Sequence, residues 1–221
     1  MNELDVRSVS TTTHGRVLLR EGDPARLLVG FHGYGENAER HMAELVRIPG
    51  AERWRIASVQ ALHRFYNLKT NEVVASWMTK QDREQAIEDN VRYVGAVVGE
   101  LGVPGVMVFA GFSQGAATAY RASMSLPCNG LIILGGDVPP DVSAHEYVHL
   151  PHVLLGRGER DDWYTREKFE KDLSFLRRSS ASVALCVFNG GHEWSDEFRK
   201  AAGELLTQWP VIGETNSEQK V

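Results

Sequence analysis

The residues with the clearest chemical potential are Gly111-Phe112-Ser113-Gln114-Gly115. They follow the apolar run Val106-Met107-Val108-Phe109-Ala110 and precede the alanine-rich stretch Ala116-Ala117-Thr118-Ala119-Tyr120. That order reads as strand, sharp turn and helix, with a serine at the apex. A G-x-S-x-G turn in this setting lifts the hydroxyl above the end of a sheet, where it can act as a nucleophile. Glycine suits both flanks because strand and helix crowd together there.

A serine hydroxyl is a weak nucleophile until a base takes its proton, and the base must be oriented by an acid. His192 lies in Asn189-Gly190-Gly191-His192-Glu193-Trp194, after the last apolar run and before the last helical stretch. A histidine on a loop at the carboxyl edge of a sheet can reach the serine. The acid is open at this point. Glu159, Asp161 and Asp162 crowd the loop after Val153-Leu154-Leu155, and Asp137 follows the run Leu131–Leu134 one strand earlier. Spacing does not choose among them; burial beneath His192 would. Upstream, Gly30-Phe31-His32-Gly33-Tyr34-Gly35 ends the first buried strand. Its small residues leave backbone N–H groups free to point at an oxyanion. One such donor, with the N–H of Gln114, would hold the charge of a tetrahedral intermediate.

The elements that must position these groups are readable. Continuous apolar runs at 27–31, 55–59, 106–110, 131–134, 153–155 and 183–188 suit strands buried on both faces. They alternate with helical patterns, which implies a mostly parallel sheet covered by helices on both sides. Ile87, Val91, Val94, Val98 and Leu101 form one apolar face of a long helix, with Asp82 and Gln85 as an expected capping pair and Gly102 with Pro104 as its end. Phe169, Leu173 and Leu176 mark a helix after Thr165; Phe198 to Trp209 mark another, stopped by Pro210; Met42, Leu45 and Val46 mark a shorter one. Val17-Leu18-Leu19, followed by the turn Gly22-Asp23-Pro24, is expected to form a hairpin with the next strand. One domain over 1–213 is expected, with a polar, disordered tail over 214–221.

The chain has 221 residues and a net charge of −5, from 24 basic and 29 acidic side chains, with no basic block. Nothing here points to nucleic acid or a stable membrane association. The start, Met1-Asn2-Glu3-Leu4-Asp5, lacks a basic-then-apolar leader, and no apolar run approaches the roughly 20 residues of a membrane helix. Cys128 and Cys186 read as reduced, buried thiols of a cytoplasmic protein. His145, His149 and His152 are loosely spaced like metal ligands, but no cysteine or carboxylate completes a set, so no metal is expected. A dinucleotide fingerprint and a P-loop are both absent, so no cofactor is expected.

These motifs resemble the α/β-hydrolases and, more narrowly, the phospholipase/carboxylesterase family that includes the acyl-protein thioesterases. The matching residues are Phe31-His32-Gly33-Tyr34-Gly35, Ser76-Trp77, Gly111 to Ala116, Gly158-Glu159-Arg160-Asp161 and Gly191-His192, a span of residues 30 to 192. The resemblance implies the α/β-hydrolase fold without a large cap domain. It implies Ser113 as nucleophile, His192 as base and Asp161 as the acid, the Asp of a G-x-x-D loop. It implies the N–H groups of Tyr34 and Gln114 as oxyanion donors, and Trp77 as a residue lining the substrate cleft. Met78 and Trp163 are expected to join Trp77 in an apolar entrance. The chain departs from the family at Trp163-Tyr164-Thr165 and at Gly135 to Pro140, and the segment between Val59 and Trp77 leaves little room for a lid.

The expected activity is hydrolysis of carboxylic esters or thioesters through an acyl-enzyme on Ser113. Without a cap the site should be open and favour small, soluble esters. The same triad could serve an acyltransferase, a peptidase or a perhydrolase. A catalytically silent ligand-binding module is the non-enzyme alternative, and intact Ser, Asp and His weigh against it. A homodimer is an allowed assembly.

Overall fold

Alternation of side chains along each central strand decides the layering. Met107 and Phe109 join one core cluster, while Val108, Ala110 and Phe112 join another, and all five are buried. A strand with both faces apolar must be covered twice. In this computed structural model, which describes residues 5–145 and 147–209, helices supply both covers. The expected tail over 214–221 and the expected stop at Pro210 lie outside the described residues.

The chain runs β1 (Arg16–Arg20), β2 (Asp23–Phe31), α1 (Ala38–Leu45), β3 (Trp54–Gln60), β4 (His63–Asn67), β5 (Glu72–Ser76), α2 (Arg83–Leu101) and β6 (Val106–Phe112). It continues through α3 (Gln114–Ser125), β7 (Gly130–Leu134), α4 (Pro140–Ser143), β8 (Leu150–Gly158), α5 (Arg166–Ser179), β9 (Ser180–Phe188) and α6 (Asp196–Leu206). Seven strands form one sheet in the order β1-β3-β2-β6-β7-β8-β9, parallel except for β1. One face packs on Val94 and Val98 of α2, Ala116, Ala119 and Tyr120 of α3, and Phe169 and Leu176 of α5. The other packs on Leu45 of α1 and on Phe198, Ala202, Leu205 and Leu206 of α6. Each fully buried Leu, Ile or Phe is worth roughly 1.5–3 kcal/mol over exposure. The two faces therefore fix the strand ends, and the loops beyond those ends inherit that rigidity.

Two local expectations are corrected. β1 does not form a hairpin with β2; it crosses to pair antiparallel with β3, Arg16 opposite Gln60 and Arg20 opposite Ile56. Gly22 makes the crossing possible, because a Cβ there would lie 2.3 Å from the Trp54 carbonyl oxygen. Asp82 does not cap α2 through its side chain; it takes a left-handed φ of 48° and makes no capping bond. The segment between β3 and Trp77 folds into a two-stranded ribbon, β4 with β5, outside the main sheet.

Register brings the strand ends level. Phe31 pairs with Gly111, Phe112 with Leu134, Leu134 with Gly156, and Gly158 with Phe188. The residues just past these ends all emerge at one edge. The chain visits β2 and β3 on one side, then returns to β6 on the other, so the sheet's order reverses between β2 and β6. Open α/β sheets offer a crevice at that reversal, beyond the carboxyl ends of the strands. Among the described residues, no helix is long and apolar enough to cross a membrane.

Candidate active site

Ser113 sits at the hinge between β6 and α3 with φ 53° and ψ −118°, a conformation that costs a non-glycine residue about 1–3 kcal/mol. The surrounding packing holds it there. Its N–H donates to the Leu134 carbonyl at 2.8 Å. Gly115 is pressed on the end of β2, where a Cβ would stand 2.0 Å from the Phe31 carbonyl oxygen. The strain leaves the Ser113 hydroxyl above the sheet edge, beside the loop that carries His192.

His192 Nε2 lies 2.8 Å from Ser113 Oγ, and His192 Nδ1 lies 2.8 Å from Asp161 Oδ2. A carboxylate only accepts, so Nδ1 carries the ring proton and Nε2 is left to accept from the serine. The imidazole rests on the Phe112 ring at 4.9 Å between centroids. Gly135 approaches from the other side; a Cβ there would be 3.0 Å from His192 Cε1.

The four competing acids separate by burial. Asp161 is 4 % exposed and touches the imidazole, whereas Glu159, Asp162 and Asp137 are exposed. Asp137 pairs instead with Lys168 at 3.2 Å. The second oxygen of Asp161 is also occupied: Oδ1 accepts the N–H groups of Trp163 at 2.9 Å and Tyr164 at 2.8 Å. Behind it stands a residue the sequence reading passed over. Asp172 Oδ2 accepts the Tyr164 hydroxyl at 2.9 Å and the Val138 N–H at 3.0 Å, tying α5 to the two loops that flank His192. Burial pushes the Asp172 carboxyl up to about 6, against the pull of those two hydrogen bonds, and pushes the Tyr164 phenol up as well. The signal was present: Asp172 falls between Phe169 and Leu176 on the buried stripe of α5, where an apolar residue would be ordinary.

The turn after β2 is held by its own side chains. Ala61 N–H donates to His32 Nε2 at 3.1 Å, so the ring proton sits on Nδ1 and is donated to the Gly33 carbonyl at 2.7 Å. Burial lowers the His32 pKa, which suits this neutral ring. Glu36 Oε2 takes the Gly33 N–H at 2.8 Å, the Ala75 carbonyl takes the Gly35 N–H at 3.0 Å, and the Gly33 carbonyl takes the Glu36 N–H at 3.2 Å. Burial raises the Glu36 carboxyl. Among the described residues nothing engages the Tyr34 N–H. The Gln114 N–H, at the first position of α3, likewise has no intrahelical partner. The Gln114 side chain is fully used: Oε1 accepts the Trp77 N–H at 2.8 Å, and Nε2 donates to the Met78 carbonyl at 2.8 Å.

Of the expected cleft residues, one is enclosed by the core. Trp77 is fully buried in the core against Phe31 and His32, and its Nε1–H donates to the His32 carbonyl at 2.8 Å. It braces the turn from behind and presents no surface to substrate. Trp163 is 74 % exposed and is absent from the lining of the two clefts described next, while its backbone N–H bonds Asp161 Oδ1. Met78 does line a cleft of about 530 Å³, with Tyr34, Gln114, Ala117, Lys80 and Arg83. A second cleft of about 540 Å³ opens on the imidazole side, lined by Phe112, His192, Glu193 and Trp194. Its arginines Arg40, Arg47 and Arg199 are matched by Glu72, Asp196 and Glu44. His152, one of the loosely spaced histidines, bonds Ser182 Oγ through Nδ1 at 2.7 Å, away from these groups. Among the described residues no group of three or more His, Cys, Asp or Glu could hold a metal ion.

No family model matches the chain, and no curated protein matches it by sequence. Solved structures do match. Acyl-protein thioesterase 2 of Zea mays is 17% identical, with 88% of this chain and 99% of that chain covered and a TM-score of 0.68. A phospholipase/carboxylesterase of Dyadobacter fermentans is 19% identical, with 89% and 98% covered and a TM-score of 0.68. The Bacillus cereus carboxylesterase is 16% identical, with 88% and 94% covered and a TM-score of 0.69. At such identities the likeness establishes the fold, and the chain has the α/β-hydrolase fold.

Proposed function

We propose that the protein is a serine hydrolase that cleaves carboxylic esters or thioesters through an acyl-enzyme. The single observation that carries this reading is the unbroken chain from Ser113 Oγ through His192 to Asp161, with both links at 2.8 Å. A surface serine near a histidine would not need a buried carboxylate behind the ring, nor a strained backbone beneath the hydroxyl.

Ser113 Oγ attacks the carbonyl carbon while His192 Nε2 takes its proton. Asp161 keeps the imidazole in the required tautomer and stabilises the cation that forms. The carbonyl oxygen gains negative charge, and the N–H groups of Tyr34 and Gln114 stabilise it, an effect of about 3–4 kcal/mol per donor in comparable sites. The intermediate collapses as Nε2 passes its proton to the leaving oxygen or sulfur. Water, activated by the same ring, then frees the acid and restores the serine. No step calls on a metal or an organic cofactor. The fold shared with the esterases and thioesterases named above agrees with this reading.

The test is labelling by a fluorophosphonate probe together with turnover of 4-nitrophenyl esters of increasing acyl length. Labelling that disappears in Ser113→Ala, with turnover of short esters, supports the proposal. An unreactive Ser113 overturns it. A clear preference for long acyl chains would overturn the expectation of small, soluble esters.

A further inference from the structure

We infer that the acyl part of the substrate ends in an anionic group, a carboxylate, which Lys80 and Arg83 receive. The inference rests on the hydrolase reading above and assigns a substrate class to the same site.

The triad fixes the direction of the substrate. His192 must protonate the leaving group, so the leaving group lies on the imidazole side, toward the cleft that His192 lines. The oxyanion lies at the N–H groups of Tyr34 and Gln114. The acyl chain is then left with the opposite cleft, which Gln114 and Tyr34 border. Met78 and Ala117 give that cleft an apolar part, and Lys80 and Arg83 give it two cations, with no carboxylate in its lining.

The two clefts differ in charge balance. On the imidazole side every arginine has a carboxylate partner. On the acyl side neither Lys80 nor Arg83 has an ion pair or a side-chain hydrogen bond among the described residues. Asp82 and Glu84 flank Arg83 in the chain but form no ion pair with it or with Lys80 among the described residues, and Asp141, which feels the charge of Arg83, is gripped on both oxygens by Arg121 at 2.7 Å. These cations stand in a protein whose net charge is −5. A general attraction for anions is therefore not expected, and a local one at this cleft is. A short acyl chain would cross the apolar part and bring its terminal charge to the lysine and arginine.

The test compares the 4-nitrophenyl half-ester of glutaric acid with 4-nitrophenyl pentanoate, which has a similar chain length and no charge. The readout is the ratio of their kcat/KM values within each protein. The natural sequence should favour the half-ester by about tenfold at low salt, falling toward about twofold near 0.5 M salt as exposed charges are screened. The ratio should fall to about one in Lys80→Gln/Arg83→Gln and return in Lys80→Arg/Arg83→Lys. A 4-nitrophenyl ester with a terminal phosphonate distinguishes a carboxylate site from one that takes any anion; a stronger preference for the phosphonate overturns the carboxylate assignment. Equal or faster turnover of pentanoate overturns the inference while leaving the hydrolase reading intact, as does a ratio unchanged in the double glutamine variant. No turnover of either ester, with Ser113 unlabelled, overturns both.

Discussion

Tyr164 donates its backbone N–H to Asp161 Oδ1 at 2.8 Å, while Asp161 Oδ2 faces His192 Nδ1 at the same distance. The two carboxylate oxygens thus have separate duties. One is fixed by the N–H groups of Trp163 and Tyr164, so the other must point at the imidazole.

That division makes Asp161→Asn sharper than a simple loss of charge. The amide oxygen will stay with the two backbone N–H donors, which turns the amide nitrogen toward His192. Two donors cannot face each other, so the ring will shift its proton to Nε2 and lose the ability to accept from Ser113. We expect kcat to fall about 10⁴-fold with little change in melting temperature. Nitrogen NMR of the imidazole will show the tautomer change; a loss under tenfold would contradict the assignment.

Ser113 carries backbone strain that a glycine would not feel. Ser113→Gly should abolish turnover yet raise stability by about 1 kcal/mol, a few degrees in Tm for a chain of this size. Ser113→Ala should abolish turnover with no such gain, because alanine is strained at the same φ of 53°. Equal melting temperatures for the two variants would show that the turn is not strained.

Gly135 offers a test of how closely the imidazole is confined. Its φ is +62°, and an added Cβ would meet His192 Cε1 at 3.0 Å and Asp161 Oδ2 at 3.4 Å. Gly102 has a comparable φ of +79° with nothing within 4 Å of its Cβ position. Both alanine variants should lose stability, but only Gly135→Ala should lose about 100-fold in kcat, since small displacements of a reacting group cost that much. Matching activity in the two variants would refute the contact.

Asp172 should act on stability in the reverse sense to most carboxylates. Its carboxyl is pushed from 3.8 to about 6 by burial and by nearby Asp137, against the hydrogen bonds from Val138 and Tyr164 and the charge of Lys171. Between about pH 4 and pH 6 the folded protein holds a proton that the unfolded chain has released. Stability from this group is therefore greatest below pH 4 and is lost as pH rises to 6. Asp172→Asn should flatten that part of the profile relative to the parent protein, measured as urea midpoints from pH 4 to pH 7. Parallel profiles for the two proteins would exclude the effect.

The alternation and helical periodicity in the sequence carried the main sheet and its helices, because each central strand is apolar on both faces. The edge was not legible. β1 and its turn have the local signature of a hairpin, and only the close approach of Gly22 to Trp54 directs it to β3. The ribbon was also missed, since His63-Arg64-Phe65-Tyr66 is mostly exposed and has no apolar rhythm. Within the site, Ser113 and His192 stand out by their glycine-flanked turns. The acid does not, because Glu159, Asp161 and Asp162 differ by burial, a property of the folded loop. The resemblance named Asp161, and the geometry places Asp161 beneath the ring. Trp77 shows the opposite case: its position beside a matching motif suggested the cleft, but its ring is needed behind the turn.

The ribbon of β4 and β5 is fastened beside Ser113 by a handful of contacts, among them Gly35 and Glu36 with Ala75, Tyr34 with Phe65, Asn37 with Glu72 and Val73, and Gln114 with Ser76, Trp77 and Met78. Ser113, His192 and Asp161 all hang from the ends of strands of the main sheet. The ribbon therefore stands apart from the support of those three side chains, and it contributes no residue to the lining of either cleft. A designer could exchange the tip of the ribbon, keep those fastenings, and graft a new surface there with Ser113, His192 and Asp161 left in place.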